Sequence, residues 1–181
     1  MYSDADIIKA VKKKHLKIIP FDERNLQPDA YKLHLDSEIA IPKRGLIDPT
    51  KTIHYDGNFM KGWAEGFVLN PGKFILARTT ERFAIPQDLV GIVNGRTGLA
   101  RLGISVVQTA SLIHAGHGVP HSRKIVLEIF NAGSFDVILR RDMTIGEIAF
   151  AELTTPARKT YDSFGRYGKR DNKDELTPMR E

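Results

Sequence analysis

Short apolar segments separated by turn signals occupy the chain from Ala30 to the mid-150s, and this pattern restricts the fold more than any other feature. Residues 31–35 alternate strictly between apolar and polar types, which places the apolar side chains on one face of a strand. Two further segments flank an Asn-Pro-Gly turn. The predicted strands after residue 35 are 67–69, 74–77, 89–93, 104–107, 124–130, 137–139 and 145–150. Short strands at such regular spacing are typical of a sandwich or barrel, so the predicted fold class is all-β.

The two ends of the chain differ from this strand-rich middle. Ser3, with Asp6 three positions later, is typical of a helix N-terminus, and apolar residues follow at helical spacing. Residues 45–66 show no clear period, which predicts a long surface excursion. The last part of the sequence is polar. We therefore expect one domain over residues 1–156 and a C-terminal tail over 157–181.

The composition excludes several classes of protein. The 181 residues include no cysteine, which excludes disulfide frameworks and thiolate metal sites and fits a reducing cytoplasm. No apolar run approaches the roughly 20 residues of a membrane-spanning helix, and the first residues lack the apolar core of a signal peptide. The net charge is +5, but the basic residues are dispersed among 22 acidic ones and accompany no nucleic-acid motif. We expect a cytoplasmic protein that binds neither a membrane nor a nucleic acid.

A glycine-bracketed turn, GRTGLAR, combines two arginines with a hydroxyl between two apolar segments. The guanidinium groups of Arg96 and Arg101 can each donate two parallel hydrogen bonds to the oxygens of a phosphate. Gly98 lets backbone N–H groups approach an anion closely. Thr97 supplies the hydroxyl. The turn predicts a phosphate site, and the alternative is a surface turn with two solvated arginines.

A single carboxylate, Glu128, interrupts the apolar segment IVLEIF. Alternation along a strand places Val126, Glu128 and Phe130 on one face. If that face is enclosed, Glu128 is a candidate for proton transfer, because burial favours the neutral carboxylic acid. If the face is open, Glu128 is an ordinary solvated residue of the strand.

Three histidines, His114, His117 and His121, lie close together in the sequence HAGHGVPH. Such density suggests a metal site. The glycines and the proline between them favour a loop instead of a helix that presents ligands on one face. The alternatives to a metal site are a mobile loop and a direct contact with a ligand.

The C-terminal tail combines aromatic and cationic residues with glycines, namely Tyr161, Phe164, Arg166, Tyr167, Lys169 and Arg170. Aromatic rings stack on bases and cations meet phosphates, so this combination is typical of a lid that closes over a nucleotide. A disordered terminus is the alternative.

Taken in order, these segments resemble the dCTP deaminase branch of the dUTPase-like superfamily. The resemblance covers most of the chain and is carried by DADIIKAV, LQPDAYKLHLDSEI, LNPGKFILARTTERFAIPQDLVGIVNGRTGLARLGI, KIVLEIFNAG, MTIGEIAF and SFGRYGKR. It implies a distorted jelly-roll-like β-barrel of the dUTPase type with a short N-terminal helix and a C-terminal lid. The barrel is expected to assemble as a homotrimer with active sites between subunits. The resemblance also implies an enzyme that removes the 4-amino group of dCTP without zinc, in agreement with the missing cysteines.

The resemblance also implies a role for each matching residue. Glu128 is expected to relay protons between water, N3 and the leaving amine, while Arg101 and Thr97 position the water. The residues expected to bind substrate are Arg96 and Gly98 at the phosphates, Thr109 and Ala110 at the base, His114 beside the sugar, and Tyr161, Arg166, Tyr167 and Lys169 from the tail. Mg²⁺ is expected to accompany the triphosphate, with no protein side chain as its ligand.

Four departures from the family pattern are visible in the sequence. Thr97 and Gly98 stand where the family has two serines, and Gly98 is similar to the dUTPase version of the turn. His114 replaces an aspartate that contacts the deoxyribose in the deaminases and whose counterpart activates water in dUTPases. Residues 117–123 lengthen the connection to the following strand. The tail is shorter after Tyr161 and lacks a counterpart of its usual glutamine.

The predicted function is deamination of dCTP to dUTP and ammonia in deoxynucleotide metabolism. One alternative is dUTP diphosphatase or bifunctional formation of dUMP from dCTP, which Gly98 favours and His114 opposes. The other is a nucleotide-binding regulator without catalysis, which the changed turn at His114 suggests.

Overall fold

The computed structural model describes residues 1–48, 50, 57–61, 63 and 65–164. Its helices are α1 (Asp4–Lys12) and the single turns α2 (Thr97–Ala100) and α3 (Tyr161–Phe164). Its strands are β1 (Lys17–Ile19), β2 (Leu26–Gln27), β3 (Ala30–Pro42), β4 (Gly57–Lys61), β5 (Phe67–Leu69), β6 (Phe74–Ala84), β7 (Leu89–Gly95), β8 (Ile104–Ser105), β9 (Leu112–Ile113), β10 (Arg123–Asn131), β11 (Val137–Leu139) and β12 (Thr144–Glu152).

Within the described residues, most strands join one antiparallel sheet in the order β8-β10-β6-β3-β12-β7-β9. β1 pairs with β6, β2 and β4 pair with β3, and β5 and β11 form a separate two-stranded sheet. The long strand β3 pairs with β6 on one side and with β12 on the other, and its register shifts between Leu35 and Ile39. Irregularities of this kind bend a strand, so the sheet curls around one main core. The predicted all-β, barrel-like fold class is confirmed.

The core lies on the inner face of the curled sheet, where every second residue of β10 and β6 is buried. On β10 these residues are Ile125, Leu127 and Ile129, whose exposed fractions are at most 2%. The alternate residues, Val126, Glu128 and Phe130, are exposed or half-buried on the outer face. The predicted alternation is therefore correct, and it places Glu128 outside the core.

Helix α1 begins as the sequence predicts. The Ser3 hydroxyl accepts a hydrogen bond from the Asp6 N–H at 3.3 Å, and the Asp6 carboxylate accepts one from the Ser3 N–H at 3.1 Å. This reciprocal capping box satisfies two backbone donors that the first turn leaves without partners. Ile7 is fully buried and fastens the helix to the core. No helix among the described residues combines the length and the apolar composition needed to cross a bilayer.

The prediction of a surface excursion over residues 45–66 is wrong in one part. Residues Gly57–Lys61 form β4, which pairs with the end of β3 from Glu38 to Pro42. The β4 sequence, GNFMK, does not alternate between apolar and polar residues, so the sequence gives little signal for a strand there. The strand predicted at 104–107 is reduced to Ile104–Ser105.

Candidate active site

The arginine turn forms α2 between β7 and β8. Arg96 is the residue before the helix and is half-buried, while Thr97, Gly98 and Arg101 are exposed. The side chains of Arg96 and Arg101 make no hydrogen bond or ion pair with any described residue. The turn thus presents two guanidinium groups whose donors are available to an anion, as the phosphate interpretation requires.

Two glycines fix α2 against the end of β10. The Ala132 N–H donates to the Gly103 carbonyl at 2.8 Å, and a Cβ on Gly133 would overlap the Leu102 carbonyl oxygen. The buried Asn131 side chain shapes this turn, because its carbonyl accepts from the Gly133 N–H at 2.9 Å. The position of the arginine turn relative to the Glu128 strand is set by this close backbone contact.

Glu128 lies on the outer face of β10, opposite Leu76 of β6. Its N–H donates to the Val106 carbonyl at 3.0 Å. Its carboxylate oxygen Oε2 accepts a hydrogen bond from the Gln108 N–H at 3.2 Å. The side chain is half-buried and held from one side, so its other carboxylate oxygen can meet a ligand from outside.

Gln108 is a site residue that the sequence reasoning missed. Besides its N–H bond, its side-chain Nε2 donates to the Glu128 carbonyl at 3.3 Å and to the Ser105 hydroxyl at 3.0 Å. A polar residue directly before Thr109 was the only signal available, and these contacts are between residues far apart in the sequence. The structure makes Gln108 the link between the carboxylate and the segment predicted to read the base.

Thr109 and Ala110 follow Gln108 and are exposed. The chain is then fixed by β9, which pairs with β7, and by the Ser111 carbonyl, which accepts from the Val93 N–H at 2.8 Å. The backbone of these two residues is therefore held between the Glu128 strand and β7. The structure therefore brings Thr109 and Ala110 close to Glu128 through Gln108.

The histidine segment packs as a turn against the beginning of the tail. The His114 ring stacks on the Tyr161 ring with centroids 5.8 Å apart and planes 18° apart, and the His117 ring lies 5.8 Å away at 42°. The Tyr161 N–H donates to the Ala115 carbonyl at 2.9 Å. Arg166, Tyr167 and Lys169, which were predicted to bind substrate, lie outside the described residues, and so does most of the predicted 157–181 tail.

The segment after His117 runs along β6 and β1 and away from Glu128. The Ile85 N–H donates to the His117 carbonyl at 2.9 Å, and the Arg82 guanidinium donates to the Ser122 carbonyl at 2.6 Å. His121 is exposed on this path. In the described part of the chain, no three His, Asp or Glu side chains come together in a way that could hold a metal ion.

Other cations on the outer face near Glu128 are neutralised by acids of the same chain. Lys124 pairs with Asp36, and Arg78 pairs with Glu38. Burial by itself would raise the pKa of Asp36, but hydrogen bonds from Lys124 and from the Ser37 N–H lower it below its usual value. These lysine and arginine charges are already compensated, unlike those of Arg96 and Arg101.

The stacking of Tyr161 on His114 anchors the beginning of the tail, so we expect substrate binding to depend on this contact. Tyr161→Ala should raise KM for the expected nucleotide about tenfold with a smaller change in kcat, because loss of the ring contact frees the start of the tail. His114→Phe, which keeps an aromatic face, should stay near the wild-type KM, whereas His114→Ala should behave like Tyr161→Ala. Steady-state kinetics of the three variants provide the measurement, and equal KM values in all three would exclude the anchoring role.

Comparison with known proteins places this chain in one family. A family model described as dCTP deaminase-like matches residues 1–153. A "dCTP deaminase, dUMP-forming" of Corynebacterium kroppenstedtii is 34% identical over 89% of this chain and 86% of its own. A "dCTP deaminase" of Natronomonas pharaonis is 37% identical over 88% of this chain and 84% of its own.

A solved structure supports the same fold. The crystal structure of the 2'-deoxycytidine 5'-triphosphate deaminase from Agrobacterium tumefaciens superposes with a TM-score of 0.64 and 21% identity. The match covers 84% of this chain and 47% of that one, so this chain spans about half of its length. The family model over residues 1–153 and the two relatives show that the chain belongs to the dCTP deaminase-like family.

Proposed function

We propose that this protein hydrolyses the 4-amino group of dCTP and releases dUTP and ammonia. The observation that carries the proposal is the position of Glu128, whose carboxylate is held by the Gln108 N–H beside the backbone of Thr109 and Ala110. A carboxylate fixed next to a row of backbone groups can exchange protons with a base that those groups bind. The names of the related proteins support deamination of dCTP, and the name of the Corynebacterium kroppenstedtii relative adds dUMP as the product.

The proposed chemistry is an addition of water to C4 followed by loss of ammonia. Glu128 takes a proton from the attacking water and delivers it to N3, so that the C4 carbon becomes tetrahedral. The proton of the new hydroxyl then passes through Glu128 to the amine, the C–N bond breaks, and the uracil carbonyl forms. Thr97, the first residue of α2, and Arg101, which directly follows the helix, are proposed to hold the water, because both side chains are exposed.

The triphosphate is proposed to meet α2. Arg96 and the backbone at Gly98 offer donors that no described residue uses, and a bidentate guanidinium suits phosphate oxygens. Mg²⁺ would be held by the phosphate oxygens and would screen their charge. His114, Tyr161, Arg166, Tyr167 and Lys169 are proposed to complete the site from the tail side. A homotrimer with sites between subunits, and a cytoplasmic location, belong to the same proposal.

Bifunctional conversion of dCTP to dUMP is a second candidate. Gly98 is open to solvent, with no atom near its missing side chain, so the turn leaves room for a phosphate and a hydrolytic water. The name of the Corynebacterium relative includes formation of dUMP. Against it, His114 supplies no carboxylate to activate a water at the phosphate, and its ring faces Tyr161.

One assay separates these possibilities. The purified protein is incubated with dCTP and Mg²⁺, and the nucleotides are resolved by ion-exchange chromatography. We expect dUTP to accumulate with an equal amount of ammonia. Accumulation of dUMP with pyrophosphate would show that the protein carries out the bifunctional reaction and does not stop at dUTP. Tight dCTP binding without turnover would identify a nucleotide-binding regulator. The absence of both binding and turnover would exclude dCTP as the ligand.

A further inference from the structure

Gln108 makes more contacts around Glu128 than any sequence pattern suggested. Its N–H donates to Glu128 Oε2 at 3.2 Å, and its Nε2 donates to the Glu128 carbonyl at 3.3 Å and to the Ser105 hydroxyl at 3.0 Å. The Ser105 hydroxyl in turn donates to the Val107 carbonyl at 2.9 Å. These bonds connect the segment from Ser105 to Gln108 with the carboxylate and the backbone carbonyl of Glu128 in a single network.

The network stands where the regular sheet ends. β8 pairs with β10 only through Ser105–Phe130 and Ile104–Asn131, and the chain then leaves the ladder. Beyond Ser105 the backbone is tied to β10 by the bond between the Glu128 N–H and the Val106 carbonyl and by the Gln108 contacts. Hydrogen bonds of the Gln108 and Glu128 side chains thus take the place of the missing ladder bonds beside Glu128.

Gln108 is exposed, so packing in the core does not explain these contacts. An exposed glutamine loses side-chain entropy when its amide is held by two acceptors, and burial does not offset that cost. The contacts do have a local effect on Glu128. The Oε2 atom of Glu128 accepts a hydrogen bond from the Gln108 N–H, while its Oε1 atom accepts no hydrogen bond from any described residue.

We propose that Gln108, supported by Ser105, is a positioning residue that fixes the Glu128 carboxylate against the Thr109–Ala110 backbone. One oxygen is thereby held and the other is presented to the substrate in one orientation. Because the inference concerns proton transfer to dCTP, it rests on the proposed function. A displacement of about 1 Å in such a group can reduce the rate of an enzyme by about 100-fold.

The variant that tests the role is Gln108→Met, which keeps the length of the side chain and removes both Nε2 bonds. We expect kcat to fall by about 10-fold to 100-fold, with KM for dCTP within about threefold of wild type, because the arginine turn is untouched. Ser105→Ala removes one acceptor and should reduce kcat less, whereas Ser105→Thr keeps the hydroxyl and should restore it. In the double variant Gln108→Met with Ser105→Ala the losses should not add, because both act on one network.

The matched control is Gln87→Met. Gln87 is exposed and its side chain makes no hydrogen bond with a described residue, so kcat should stay near wild type. The proposal is overturned if Gln108→Met keeps the kcat of this control, or if kcat falls only together with the melting temperature. If Gln108→Met does not fold, the contrast between Ser105→Ala and Ser105→Thr gives the answer.

A crystal structure of Gln108→Met separates this inference from the proposed function. If the wild-type protein does not convert dCTP, the proposed function fails whatever the variant does. The position of the Glu128 carboxylate still decides the positioning role. A carboxylate that leaves the N–H of residue 108 supports the role, and one that stays within hydrogen-bond distance contradicts it.

Discussion

Replacing Glu128 by glutamine is expected to lower kcat for dCTP deamination by about 10²-fold to 10⁴-fold, the range that general acid–base catalysis contributes. The amide keeps the size of the carboxylate and can still accept from the Gln108 N–H, which in the native protein lies 3.2 Å from Oε2. It cannot take a proton from water and return it to N3 and the amine. The measurement is the rate of ammonia release at saturating dCTP.

The fold should survive this change, because Glu128 lies on the outer face of β10 and outside the core. We expect the melting temperature to stay close to that of the native protein and the dissociation constant of dCTP to change by less than about tenfold. Val126→Thr is the matched control, since Val126 shares the strand and the face and is 37% exposed. If Glu128→Gln retained the rate of this control, Glu128 would have no part in proton transfer.

Periodicity correctly predicted which face of β10 carries Glu128. Alternation along IVLEIF put Glu128 and Val126 on one face of β10, and the structure has them there. The pattern works because a strand exposes every second residue and the apolar half must face the core. The same argument predicted the alternate burial of residues 31–35 in β3.

Features that depend on contacts distant in sequence could not be predicted in this way. The Gln108–Glu128 bonds cross 20 positions and exist only once β8 lies beside β10. The stacking of Tyr161 on His114 requires the histidine turn and the beginning of the tail to meet. β4 was missed because its sequence, GNFMK, has no apolar alternation and only its pairing with β3 makes it a strand. In each case the missing information is the tertiary pairing and not the local preference of the chain.

Replacing Gly133 by alanine is expected to cost about 3 kcal/mol or more in the free energy of unfolding, at the upper end of what single substitutions do. A Cβ at this position would overlap the Leu102 carbonyl oxygen, which is backbone and cannot rotate away. Relief requires the turn after β10 to separate from the end of α2. That movement would break the bond between the Ala132 N–H and the Gly103 carbonyl.

The same displacement should impair the site in molecules that remain folded, because it moves α2 with Arg96 and Arg101 away from the Glu128 strand. Urea unfolding gives the stability change, and kcat at a temperature below the transition gives the effect on the site. Gly98→Ala is the control on the same turn, since no atom lies within 4 Å of the added Cβ, and its stability should change by less than about 0.5 kcal/mol. Equal unfolding midpoints for the two variants would mean that the contact between Leu102 and Gly133 does not hold the arginine turn. A large loss of both stability and kcat in Gly133→Ala alone would mean that the arginine turn and the Glu128 strand are joined through this backbone contact.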